Sequence, residues 1–161
     1  MRKNLPVSDI EVPVPDDALI VSRTDLKGRI TYANRDFVTI SGFTLDELIG
    51  APHNLVRHPD MPAEAFADLW STLKAGRPWN GYVKNRCKDG RYYWVEANAV
   101  PIVEGGQITG YLSVRRKAPR AAIAACEDAY RMFRENRQGA QVIHRGKVVS
   151  KVRFPQVGVA F

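Results

Sequence analysis

Three strand-like segments in the second half of the chain, joined by turns too short for anything but hairpins, constrain the fold more than any other feature. The segments are GYVKNRC (81–87), YYWVEANAVPIV (92–103) and QITGYLSVRRK (107–117), and β-branched and aromatic residues are frequent in them. Short glycine-containing stretches, 88–90 and 104–106, separate them, as in β-hairpins. The sequence therefore predicts a three-stranded antiparallel meander.

An earlier pair of strands and a run of helices precede the meander. ALIVSRTD (18–25) and RITYAN (29–34) flank a turn, which predicts a hairpin. Two short helices follow over 35–43 and 44–50, the second with Thr44 and Glu47 spaced as a capping box.

A polar, proline-containing loop (51–61) separates these short helices from a longer one. The longer helix starts at Pro62 and ends at Gly76, and its apolar residues recur at helical spacing: Phe66, Leu69, Trp70 and Leu73. The predicted fold class is therefore α+β, a five-stranded antiparallel sheet whose short helices cover one face and enclose a pocket.

The segments outside this core form an N-terminal arm and a C-terminal connector. Residues 1–17, rich in proline and acidic residues, are expected to be a loose arm, and residues 18–117 the folded domain. In residues 118–161 a connector helix has Pro119 in its first turn, QVIHRGKVV (141–149) resembles a hairpin, and VRFPQVGVAF (152–161) is too short to span a bilayer.

Charge and cysteine content exclude several classes of protein. Five of the seven net positive charges fall in residues 118–161, whereas a nucleic-acid-binding domain more often carries such an excess on its folded part. The basic tail fits a segment that faces anionic lipid or precedes a membrane span, and a solvated polar tail fits equally well. Two cysteines without metal-ligand spacing and no secretory signal lead us to expect a cytoplasmic protein.

Two motifs carry a specific family resemblance. HNLVRHPDMP (53–62) and PWNGYVKNR (78–86), with IHRGKVV (143–149) after the sheet, are similar to the FAD-binding PAS sensor domain of the bacterial aerotaxis receptor family. The resemblance covers roughly residues 17–150. It implies a PAS fold, a non-covalent FAD that senses redox state or oxygen, and signalling to a HAMP domain of the same receptor.

The loop Arg57-His58-Pro59-Asp60 is the first candidate site. Arginine suits bidentate contact with phosphate or carbonyl oxygens, His58 could donate to the same group, and Asp60 could hold either cation or accept from a sugar hydroxyl. The resemblance implies that all three residues bind FAD. Other uses are a solvated surface arginine for Arg57 and a cap for the helix after Pro62 for Asp60.

Four further residues complete the candidate site. Trp79 could stack on a cofactor ring or fill the core, and Phe66 lies on the inward stripe of its helix. Asn34 could cap the next helix or bind ligand, whereas Asn85 lies in mid-strand, where an amide requires a partner such as a flavin edge.

The related flavin-binding LOV photosensors carry a reactive cysteine in the loop that reads Asn54-Leu55-Val56-Arg57 here, so we expect no covalent photoadduct. The predicted function is therefore sensing without enzymatic turnover. A haem-binding PAS oxygen sensor with His53 or His58 as ligand is one alternative. A cofactor-free PAS dimerisation module is another.

The expected receptor partners follow from the resemblance. A second copy is expected because the connector helix has a narrow apolar stripe that must pack against its own domain or another chain, and the charge distribution argues against nucleic acid. The expected partners are thus a second copy of the chain, the HAMP and signalling domains of the same receptor, and an electron donor of the respiratory chain or the cytosol, with no nucleic acid. The sensor would face the cytoplasm and be tethered to the membrane in the full-length protein.

Overall fold

A five-stranded antiparallel sheet forms the centre of the protein, as seen in a computed structural model that describes residues 4–150. Its spatial order is β2-β1-β5-β4-β3, so the first hairpin pairs with the last strand of the meander. The strands are β1 (Ile20–Thr24), β2 (Ile30–Ala33), β3 (Trp79–Arg86), β4 (Tyr92–Glu104) and β5 (Gln107–Lys117). The predicted α+β fold with a five-stranded sheet is confirmed.

Helices inserted between β2 and β3 cover one face of this sheet. They are α1 (Arg35–Ser41), α2 (Leu45–Leu48) and α3 (Ala63–Lys74), with a 3-10 turn over His53–Val56 between the last two. Thr44 and Glu47 form the predicted capping box at the start of α2. We call the side of the sheet under these helices the pocket face.

The opposite side of the sheet, which we call the connector face, is covered by α4 (Arg120–Arg134). The Tyr130 hydroxyl donates to the Tyr82 carbonyl at 2.8 Å, and its ring stacks on Trp94. Ile123, Tyr130 and Phe133 lie on one side of α4 and are buried, which explains why this helix stays folded against the sheet.

The predicted C-terminal hairpin is present as β6 (Gln141–His144) and β7 (Lys147–Ser150), which pack beside α3 and β3. The apolar segment 152–161 lies outside the described residues. Within residues 4–150, no helix is both long and apolar enough to cross a membrane.

The expectation of a loose N-terminal arm is wrong for residues 4–14. The Ser8 and Val12 amides donate to the carbonyls of Gly90 and Tyr92, and the Tyr92 amide donates to Ile10. Val14 is buried in the core. Backbone hydrogen bonds near the start of β4 hold this segment in place. Because such bonds require no regular hydrophobic period, the sequence of the segment gave no sign of them.

Candidate functional site

A cavity of about 550 Å³ lies between the pocket face and the helices. Alternation along β3 directs Trp79, Val83 and Asn85 toward it, whereas Tyr82 and Lys84 project to the connector face. Its aromatic and aliphatic walls come from the sheet and α3, and include Phe66, Leu69, Trp70, Leu73, Val83 and Tyr111. A mainly apolar cavity with few polar groups is the usual form of a small-molecule site.

The charged residues that line this cavity all have the same sign. Arg57, Arg115, Lys27 and Lys74 contribute to its wall, and no aspartate or glutamate among residues 4–150 lines it. Arg115 is only 3% exposed. A buried cation is costly without a counter-charge, so the cavity is suited to a ligand with anionic or electron-rich oxygens.

Arg115 is held by neutral groups. Its guanidinium donates to Ser22 Oγ at 2.9 Å and to His53 Nε2 at 3.0 Å, and lies over the Phe37 ring. Burial lowers the pKa of Arg115 to about 10, which still leaves it charged at neutral pH. None of these contacts neutralises the charge.

His53 is therefore a neutral member of this group. Burial, and then the charge of Arg115, lower the pKa of His53 to about 3. Because a guanidinium only donates hydrogen bonds, His53 Nε2 must accept, which places the imidazole proton on Nδ1.

Arg57 lies at the cavity wall, as the sequence predicts. Its guanidinium lies over the Phe66 ring, 3.7 Å from the ring centre, and burial lowers its pKa. The backbone of Arg57 bridges to that of Asn85 on β3, and the buried Asn4 side chain donates to the Arg57 carbonyl at 2.7 Å. The loop is thus fixed from both sides.

Several buried polar atoms around the cavity lack a hydrogen-bond partner in the described part of the chain. They are Thr24 Oγ1, Arg57 Nε and Arg115 Nε. Buried polar groups are normally satisfied, so these atoms indicate a ligand able to accept hydrogen bonds. The residues present therefore fit a flavin, whose carbonyl and phosphate oxygens are acceptors.

Trp79 and Asn85 also face the cavity, and both are buried. The Trp79 indole lies along β3 over Gly81, where an added Cβ would be 2.5 Å from its Cη2 atom. Its Nε1 donates to Asp68 on α3 at 2.7 Å. The structure thus brings four predicted site residues together: Arg57, Phe66, Trp79 and Asn85.

His58 and Asp60 do not line this cavity. The Asp60 carboxylate accepts from Lys84 Nζ at 2.8 Å, and its carbonyl accepts from Arg134 of α4 at 2.7 Å. His58 is 3% exposed and lies edge-on to Tyr92. The loop therefore crosses the edge of the sheet between Arg57 and Asp60.

Charges near His58 and Asp60 are matched within the protein. Burial, then the charge of Lys84, lower the pKa of His58 to about 4, against the opposing effect of Asp60. Burial raises the pKa of the Asp60 carboxyl, but the hydrogen bond and charge of Lys84 outweigh it, and the net shift is downward. No side chain caps α3, so the alternative role of Asp60 as a helix cap is wrong.

Of the two roles considered for Asn34, helix cap and ligand-binding group, it has the first. Its Oδ1 accepts from the Phe37 and Val21 amides, and its Nδ2 donates to the Leu19 carbonyl at 2.7 Å. All three bonds are internal and Asn34 does not line the cavity. It fixes the junction between the first hairpin and α1.

Sequence reasoning missed Ser22 and Arg115 as pocket residues, and considered His53 only as a haem ligand. The alternation of Tyr111, Ser113 and Arg115 along β5 is the signal that could have found Arg115. In the sequence, Arg115 is the first of three consecutive cations at the end of β5, a pattern typical of an exposed strand end.

Of the two cysteines, Cys87 is buried and Cys126 is partly exposed. Cys87 Sγ donates to the Ile40 carbonyl at 3.2 Å, and burial, with the charge of Asp89, raises the pKa of this thiol to about 11. Burial also raises the pKa of Cys126. Neither cysteine lines the cavity.

An antiparallel sheet of this order, with helices from one insertion enclosing a cavity, defines a ligand-sensing domain of the PAS type. Residues 30–115, more than half of the chain, match the family described as PAS fold. The chain belongs to the PAS fold family. Membership confirms the expected fold and supports a sensing or signalling role.

Within this family the chain is similar to bacterial receptors and regulators. It is 53% identical over 145 residues to the aerotaxis receptor of Escherichia coli, a match that spans 90% of this chain and 28% of that protein. It is 31% identical over 104 residues to a nitrogen fixation regulatory protein of Klebsiella pneumoniae, spanning 64% of this chain and 21% of the relative. The predicted resemblance to aerotaxis receptors is confirmed, and the chain spans less than a third of these relatives.

Solved structures agree on the fold. A PAS domain from Colwellia psychrerythraea has a TM-score of 0.57 and 29% identity, covering 62% of this chain and 86% of that one. The light state of the blue-light photoreceptor Aureochrome1 LOV has a TM-score of 0.59 and 21% identity, covering 73% and 89%.

Proposed function

We propose that this domain binds FAD non-covalently in the cavity of the pocket face and signals its redox state. The observation that carries the proposal is the cavity itself: within residues 4–150, it is lined by cations and by no acidic residue, and by buried polar atoms that lack hydrogen bonds. The similarity to the aerotaxis receptor favours FAD among the ligands that such a cavity could accept.

The cationic residues would bind the electron-rich parts of the cofactor. Arg57 and Arg115 have buried, unbonded Nε atoms that can donate to flavin carbonyl or phosphate oxygens. The Asn85 amide offers both a donor and an acceptor to a pyrimidine edge. Phe66 and Trp79 supply aromatic walls.

Bound FAD would supply reversible electron uptake, and the protein would tune it through nearby charges. Arg115 favours a more negative ligand, since its charge has no counter-ion among the residues that line the cavity. Neutral His53 holds the guanidinium without neutralising it. A coupling free energy of about 1–3 kcal/mol between ligand state and protein conformation would suffice for signalling.

The loop from Arg57 to Asp60 offers one route for this signal. Arg57 touches the cavity, and the Asp60 carbonyl is bonded to Arg134 of the connector helix. A shift of Arg57 on a change of ligand charge would move a segment that α4 contacts directly.

The wider receptor context follows from the relatives and from the resemblance. We propose that the domain acts without enzymatic turnover, as a homodimer, and passes its signal to a HAMP and signalling module of the same receptor. An electron donor of the respiratory chain or the cytosol would reduce the flavin. The domain would face the cytoplasm, with a membrane tether elsewhere in the receptor.

The haem alternative is disfavoured by the two candidate ligands. His53 Nε2 accepts hydrogen bonds from Arg115 and lies 2.9 Å from Ser22 Oγ, and His58 lies outside the cavity. A ligand bond at His53 would require Arg115 to lose its partner.

An absorbance spectrum of the freshly purified protein, with chromatography of the cofactor released by heat, tests the proposal. We expect the two flavin bands and released FAD. If the protein is colourless, FAD is added and its fluorescence is titrated. A Soret band, released FMN, or no binding of added FAD would each overturn the proposal, and the last would leave the cofactor-free module.

A further inference from the structure

One carboxylate joins the cavity wall to the C-terminal hairpin. Asp68, half-buried on α3, accepts from the Trp79 indole at 2.7 Å through Oδ2. It also accepts from the Arg145 amide at 2.9 Å through Oδ1 and from the Gly146 amide at 2.8 Å through Oδ2. These three donors come from a strand of the sheet and from the turn between β6 and β7.

The turn is shaped to present its amides to Asp68. Arg145 and Gly146 have positive φ angles of 51° and 87°, as expected of a two-residue type I′ hairpin turn. A side chain at Arg145 in this conformation is strained, whereas glycine adopts it freely. Both amides point to one carboxylate, and hydrogen bonds to a charged acceptor are stronger than neutral ones.

Gly146 also packs closely against β3, at the two residues that follow Trp79 in the chain. A Cβ added to Gly146 would be 1.8 Å from the Asn80 carbonyl oxygen and 3.0 Å from Gly81 Cα. Lys147 Nζ donates to Asn80 Oδ1 at 2.6 Å, which adds a second attachment. The turn can therefore dock only while residue 146 has no side chain.

At the other end of this link, the Trp79 indole forms part of the cavity wall. The Trp79 indole is 3% exposed and lies against Gly81, so it cannot move toward the sheet. The bond to Asp68 fixes its position along the cavity wall. Any displacement of the indole toward or away from a ligand changes the bond that Asp68 shares with the turn.

We propose that Asp68 is a positioning residue that couples the placement of Trp79 in the cavity to the docking of the β6–β7 hairpin. The coupling is reciprocal: a ligand that shifts the indole loosens the hairpin, and release of the hairpin shifts the indole. For its ligand, this inference rests on the proposed function. The link itself consists of hydrogen bonds within the chain.

The test perturbs the link from the hairpin end and reads it at the cavity end. Nuclear magnetic resonance of the full 161-residue chain follows the Trp79 indole N–H signal and hydrogen exchange at the Arg145 and Gly146 amides. Gly146→Ala undocks the turn without substituting Asp68 or Trp79, so both groups remain to report the change. Gly139→Ala is the matched control, since Gly139 has a φ of 61° but open space around an added Cβ.

We expect Gly146→Ala to move the Trp79 indole signal and Gly139→Ala to leave it unchanged. From the cavity end, Trp79→Phe should speed exchange of the two hairpin amides. Asp68→Asn should speed exchange at both amides by about tenfold, because a charged acceptor is lost. With FAD bound, Gly146→Ala should also change flavin fluorescence.

An unmoved Trp79 signal in Gly146→Ala, with the hairpin amides exchanging faster, would overturn the coupling. The same holds if Trp79→Phe and Asp68→Asn leave amide exchange unchanged. If the protein binds no FAD but the indole signal moves, the proposed function fails and the coupling stands. If FAD binds and the signal does not move, only the coupling fails.

Discussion

The two faces of the sheet treat buried charge in opposite ways. On the connector face, Lys84 is paired with Asp60, and Arg134 is bonded to the carbonyl of that same aspartate. On the pocket face, Arg57 lies over an aromatic ring, and Arg115 lies over another ring and donates to neutral acceptors; neither has a carboxylate partner among residues 4–150. Charges matched inside the chain hold the structure together, whereas unmatched ones are available to a ligand.

The contrast is sharpest within one loop. Arg57 and Asp60 are three residues apart, and adjacent sequence motifs suggested a common role in binding FAD. The structure directs Arg57 to the cavity and Asp60 to the connector helix. Substitutions on the pocket face should therefore change ligand binding, whereas those on the connector face should change stability.

Acid should lower the free energy of unfolding, because His53 and His58 are both buried and neutral in the folded protein. The pKa of His53 falls to about 3 and that of His58 to about 4 on folding, so the unfolded chain binds protons more readily. Stability is then fully present above pH 6.5 and is lost as the pH falls. Each histidine contributes a slope that approaches about 1.4 kcal/mol per pH unit.

Urea unfolding between pH 7.5 and 4.5 measures this loss. His53→Gln and His58→Gln should each flatten the pH dependence, while His144→Gln, at an exposed histidine, should leave it unchanged. An equally steep dependence in both buried-site variants would contradict the assignment.

Arg57→Ala should reduce FAD affinity by more than about tenfold, because it removes an unmatched donor from the cavity wall. The free energy of unfolding should change little, since no carboxylate among residues 4–150 pairs with this guanidinium, which lies over the Phe66 ring. Arg91→Ala is the control, at an exposed arginine that pairs with Asp89. Titration of flavin fluorescence checks both, and wild-type affinity in Arg57→Ala would remove Arg57 from the site.

Asp60→Asn should have the smallest effect, a loss of stability below about 1 kcal/mol, because the Asp60 side chain is half exposed and the amide oxygen that replaces the carboxylate can still accept from the mostly buried Lys84. FAD affinity should match that of the wild type. Urea unfolding and flavin titration measure the two quantities, with Asp89→Asn as a surface control. A loss of FAD comparable to that of Arg57→Ala would return Asp60 to the binding site.

Patterns that repeat along the chain could be predicted from the sequence. The strands, their short turns and the capping box at Thr44 depend on neighbours within a few residues. The loop over 51–61 has no such period, so nothing local distinguishes the direction of Arg57 from that of Asp60. The packing of α3, α4 and β3 around the loop decides it.

Contacts between distant segments were also beyond the sequence. Ser22 and Arg115 meet because β1 pairs with β5, and His53 reaches them from the 3-10 turn that follows α2. Asp68 on α3 shows no sign in the sequence that it accepts from a turn 77 and 78 residues away. Such groups could be recognised only once the sheet order was known.

The burial of the Cys87 thiol has a consequence for a protein that is proposed to bind a redox-active cofactor. A thiol with a pKa of about 11, as in Cys87, is almost entirely protonated at neutral pH, and the thiolate is the form that peroxides attack. Cys87 therefore resists oxidation by the peroxides that accompany respiration. Under the proposed function, electron transfer to the ligand of the cavity would leave this thiol unchanged.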